Sequence, residues 1–209
     1  MSTAVRAQSG FDQTDAGFLV RGSLRLGIVE SVIVLAFALV ARFLGGTPGL
    51  ALEAILLIAG LAAVTVLPGL WTRARTIEGI AGAATIGFFA TVVFMLVDVS
   101  FFQTFHLYTH RWLAIGGGAN WWYHPVWWMA GTFMPWLGAW MLANQSARGG
   151  TPSASVVLIA SFGAAVLLAI VAILTGFPGA QWGIGTFGVA FLPGLALATV
   201  ISVLRARRA

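Results

Sequence analysis

Residues 153–174 read SASVVLIASFGAAVLLAIVAIL, 22 consecutive positions without one charged side chain. At 1.5 Å rise per residue, about 20 such residues cross a hydrocarbon core about 30 Å thick. A lone strand in lipid would leave its amides and carbonyls unpaired, so this run reads as a transmembrane helix. Five further runs of comparable length flank it: Leu24–Leu44, Leu50–Leu70, Glu78–Phe102, Pro125–Asn144 and Gly183–Leu204. The expected fold is all-α, a polytopic bundle of six transmembrane helices at 24–44, 50–70, 78–102, 125–144, 153–174 and 183–204. A flexible cytoplasmic segment is expected over 1–22, a transmembrane domain over 23–204, an outer loop over 103–124 and a basic tail over 205–209.

Composition gives the same class. Hydrophobic residues make up 59% of the 209 and charged residues only 8%, against about 25% charged in an average soluble domain. So little charge cannot cover a water-soluble globule, and disorder requires the opposite balance. The chain has no cysteine, which excludes disulfides, iron–sulfur clusters and covalently attached haem. All eleven cationic side chains are arginine. Without lysine there is no Schiff base to retinal or pyridoxal phosphate.

The arginines orient the bundle. If six spans alternate, Arg6, Arg21, Arg25, Arg73, Arg75, Arg148, Arg205, Arg207 and Arg208 fall on one side, and Arg42 and Arg111 on the other. That asymmetry places both termini in the cytoplasm and the chain in the cytoplasmic (inner) membrane as a multi-pass protein. The arginines stand singly beside apolar runs, an arrangement of topology rather than of a nucleic-acid stripe. The partners implied are the lipid bilayer and other membrane subunits, with no nucleic acid.

The chemistry-bearing residues concentrate between Asp98 and Trp140, which holds all three histidines and seven of the nine tryptophans. If the third helix continues, His106 and His110 share a face at i,i+4, and His124 precedes the fourth helix. Three imidazoles and the Asp98 carboxylate would suit copper, zinc or iron. The plainer alternative is anchoring at the membrane surface. Trp128, Thr132, Trp136 and Trp140 form an i,i+4 stripe on a helix that Pro135 should bend. With Asp98 they would wall a pocket for a flat or apolar ligand such as a quinone, carotenoid or lipid.

Glu30 and Asp98 are acids inside spans and therefore candidates for a charge pathway. Glu53 is placed to meet Arg42, Glu78 suits a helix N-terminus, and Asp98 is expected to pair with His106, Arg111 or Arg42. Gly79, Ala83, Gly87 and Thr91 recur every four residues, which predicts close packing of a central third helix. Three functions stay open. One is binding of an apolar ligand, lipid, pigment or partner subunit through the outer Trp/His-rich region, as a subunit of a larger membrane assembly. The others are a metal-dependent membrane enzyme with an outer His/Asp site and a proton- or cation-coupled small-molecule transporter.

Overall fold

The computed structural model describes residues 12–108 and 123–207, with side chains in the second range from Pro125 onward. Six α-helices run through them: α1 Ala16–Phe43, α2 Gly46–Trp71, α3 Ile77–Val97, α4 Tyr123–Ala147, α5 Ala154–Leu174 and α6 Ile184–Ala206. α3 continues as a π-helical turn over Asp98–Gln103. Five of the six are long and apolar enough to cross a membrane. α4 is as long, but tryptophans, two prolines and a histidine dilute its apolar character. The chain is an all-α, integral multi-pass membrane protein.

α1 begins at Ala16, inside the stretch expected to be a flexible segment and well before Leu24, because Asp15 caps it by accepting the Phe18 amide at 2.9 Å. Buried hydroxyls are accommodated by bonding to the carbonyl four residues back. Ser31 reaches Gly27 at 2.7 Å, Ser161 reaches Val157 at 2.7 Å and Thr199 reaches Leu195 at 2.8 Å. Each polar group is thereby satisfied within its own helix.

α3 packs against α1 and α4, and α5 pairs with α6. α3, which also touches α2, is the most buried of the five membrane-length helices, and α4 lies against α2 and α6 as well as α3. The close α3–α4 approach follows from one proline. Pro135 has no amide to donate to the Gly131 carbonyl. Gly87, lacking a side chain, leaves room for both that carbonyl and the Pro135 ring. Gly131 reciprocally makes room for Thr91, whose hydroxyl bonds the Gly87 carbonyl at 3.0 Å. The α5–α6 pair is filled by Val157, Ala165, Phe191 and Leu195, with Phe162 stacked on Phe187 at 5.9 Å. The α4–α5 turn is closed by buried Gln145, which accepts the Ser153 amide at 2.7 Å.

One end of this bundle gathers Arg21, Arg73, Arg75, Arg148, Arg205 and Arg207, with Arg25 two turns into α1. Arg42 stands at the other end. The two are called the arginine end and the far end below.

Candidate functional site

The α1–α3 pair fixes the depth of the two acids. Gly22 lies against Ile86 and Arg42 against His106, both 64 residues apart in sequence. The same offset puts Asp98 level with Val34, one turn beyond Glu30, which stands at the midpoint of α1. The two acids are thus near one level of the bundle. Because α1 starts at Ala16, Glu30 falls at mid-helix.

Asp98 is fully buried. It accepts the Gln103 side-chain amide at 2.5 Å and the Tyr108 hydroxyl. The π turn makes this possible. Its i→i+5 repeat brings Gln103 over Asp98, where an α-helix would present residue 102. Val34, Phe94, Met95 and Phe102 form a buried apolar cluster at this end of α3, with Trp127 tilted against Phe94 at 4.6 Å. Asp98 therefore faces the bundle.

The helical condition for pairing His106 with His110 is not met. The helix ends after Gln103, and His106 is exposed with φ +50. Asp98 was expected to pair with His106, Arg111 or Arg42; of these, His106 and Arg42 meet each other instead, the His106 carbonyl accepting Arg42 Nη1 at 2.7 Å. Arg42 is thus engaged with the backbone rather than with Asp98 or Glu53. His110, Arg111 and the His124 side chain lie outside the described residues. Among the described residues no three His, Asp or Glu side chains come together as a metal site.

The tryptophan stripe lies elsewhere. Trp128 and Trp136 are about one-third exposed, Thr132 and Trp140 half-buried. Trp136 stacks on Trp140 at 5.9 Å and 22°, Phe133 lies 6.1 Å from Trp136, and Phe88 of α3 lies 5.4 Å from Trp128. These rings form a ladder on the outside of the α3–α4 pair. Asp98 is inside and does not join them, so the five residues read as one ligand site divide into two places.

Compared with family models, curated proteins and solved structures, the chain matches none. The site must therefore be read from its own chemistry. Two features stand out. Trp136, beside the midpoint of α4, and Trp140 have indole N–H groups with no acceptor among the described residues. Glu30 and Glu53 are buried carboxylates, likewise without a hydrogen bond or ion pair among the described residues. Gln103 and Tyr108 were missed in the sequence. The signal available was their spacing from Asp98, which has meaning only once a π turn is known.

Proposed function

We propose that this chain is a multi-pass subunit of the cytoplasmic membrane that holds an apolar partner, a transmembrane helix of another chain, along the aromatic face of α3 and α4. The observation that carries the reading is the stacked Trp136–Trp140 pair, whose indole N–H groups find no acceptor among the described residues. In hydrocarbon no water supplies an acceptor, and an unpaired polar hydrogen there is costly. A partner helix presenting a hydroxyl or a free carbonyl would accept these donors while its side chains pack against the rings. The exposed ladder from Trp128 to Trp140 runs about 18 Å at helical rise, which suits a rod better than a compact ligand.

In this reading all six helices span the membrane, with the arginine end in the cytoplasm. Reporter fusions after Gln145 and at the C-terminus would then read cytoplasmic, and one near Gly117 external. A photo-crosslinking residue at position 136 or 128 in native membranes should yield one discrete protein adduct, while the same residue at exposed position 159 of α5 should not. Lipid adducts alone at all three positions would discard the partner-helix reading.

A second reading, proton- or cation-coupled transport, is favoured by Glu30. A buried carboxylate without a partner among the described residues, one turn below the Asp98 network, is suited to taking up and releasing a proton. Its test is proton flux in proteoliposomes, expected to be lost in Glu30→Gln.

A further inference from the structure

Two clefts open at the arginine end and share Leu70 and Arg73. The smaller, about 240 Å³, is lined by Phe18, Arg21, Arg25, Leu70, Trp71 and Arg73 among others. Arg21 and Arg25 sit at i,i+4 on one face of α1, and Arg73 reaches in from the α2–α3 turn. Among the described residues none of these three guanidiniums makes a hydrogen bond or ion pair.

Positive charge at this end has an ordinary use in membrane orientation, but orientation does not require three arginines to line one cavity. Nor does a nearby acid form an ion pair with them among the described residues, although Asp15 and Arg21 both lie beside Gly17. Asp12 accepts the amides of Arg75, Thr76 and Gly79, Asp15 accepts that of Phe18, and Glu78 accepts the Thr76 hydroxyl. Each carboxylate is turned to a helix start. Arg73 also occupies a left-handed conformation, φ +51. Glycine or asparagine would hold that turn with less strain, so the turn itself does not account for an arginine there.

We propose that this cleft binds the phosphate of an anionic phospholipid headgroup. Guanidinium forks match phosphate oxygens in pairs. Phe18 and Trp71 supply the amphipathic wall that aromatic residues form at a membrane surface. A cleft between α1 and the end of α2 opens at the depth where a headgroup lies, which favours lipid over free phosphate as the source. Negatively charged leaflets concentrate such headgroups.

The test uses the full chain, purified and delipidated in detergent, with bound lipid counted by native mass spectrometry. Phosphatidylglycerol is expected to bind wild type and phosphatidylcholine not. Arg21→Gln/Arg25→Gln and, separately, Arg73→Gln should each weaken phosphatidylglycerol binding at least tenfold. Arg25→Lys, which keeps charge but loses the fork, should fall between. Arg205→Gln/Arg207→Gln removes two charges at the same end outside the cleft and should leave binding unchanged. Equal loss in that control would show that only the general field matters, and wild-type binding by the cleft variants would show that the cleft does not. Either result overturns the proposal, as does displacement of the lipid by millimolar inorganic phosphate. Melting temperatures identify variants that fail to fold. Should the double variant do so, Arg73→Gln decides.

Discussion

The Asp12 carboxylate sits on the Gly79 amide, 3.1 Å away, across 67 residues of chain. It also takes the amides of Arg75 and Thr76, each at 3.1 Å, so one side chain from the N-terminal segment satisfies three donors at the start of α3. A β-carbon on residue 79 would lie 2.6 Å from Asp12 Oδ2 and 2.8 Å from the Ala74 α-carbon. Asp12→Ala is expected to cost about 1–2 kcal/mol, the usual worth of a cap. Thermal unfolding checks the magnitude, and hydrogen exchange at 75–79 should accelerate. Unchanged exchange there would mean that water replaces Asp12 fully.

The α3–α4 seam makes a sharper test. Gly87→Ala sets a methyl group against the Pro135 ring and the Gly131 carbonyl, both held by backbone. Overpacking of this kind costs about 1–3 kcal/mol. Gly163, on α5, has open space at its β-position. Gly163→Ala should be neutral, or stabilising by about 0.5–1 kcal/mol through helix propensity. Detergent melting curves should therefore move down for the first and not for the second.

The buried Asp98 network separates shape from charge. Asp98→Leu leaves the Gln103 amide and the Tyr108 hydroxyl without their acceptor, at about 1–3 kcal/mol for each group stranded in the interior. Asp98→Asn keeps one acceptor oxygen and should lose less. Tyr108→Phe, which removes the donor instead, should be the mildest of the three. An Asp98→Leu melting temperature equal to that of wild type would mean that the network contributes nothing to the fold.

The helices were legible in the sequence because an apolar run of transmembrane length has one backbone solution, whereas their ends and partners depend on contacts distant in sequence. Residues 153–174 were read to within a residue of α5. The start of α1 was not, because its stability before Leu24 comes from the Asp15 cap and from Asp12 and Gln13 docked on the α2–α3 turn. Likewise the i,i+4 pairing of His106 and His110 assumed an unbroken α-helix. The π turn at Asp98–Gln103 and the left-handed His106 displace that register, and no local pattern announces either. The small-residue stripe at Gly79, Ala83, Gly87 and Thr91 marked a tight interface on the most buried of the five membrane-length helices. Arginine spacing spoke for orientation and hid the cleft, since Arg21 and Arg73 meet only after α1 and the α2–α3 turn are brought together.

Glu30 carries the last prediction. One turn before it, Leu26 is sealed by Ile86, Ala90, Leu67 and Trp71, and one turn after it, Val34 packs on Phe94 and Phe102. Glu30 thus stands in an apolar stripe between α1, α2 and α3, 8% exposed. A carboxyl group buried without a hydrogen-bond partner is destabilising by about 1–3 kcal/mol, judged from mutational data on other proteins. Glu30→Leu should therefore raise the melting temperature, and Glu30→Gln, still polar, should raise it little or not at all. This direction is unusual, since most substitutions in a packed interior destabilise. A gain in stability together with loss of proton flux would mark Glu30 as an acid kept for function at a cost to the fold. A gain without any change in flux, partner adduct or lipid binding would leave the carboxylate with no functional role. A fall in stability for both variants would mean that Glu30 has a structural partner in the membrane, such as an ordered water, and that the transport reading loses its main support.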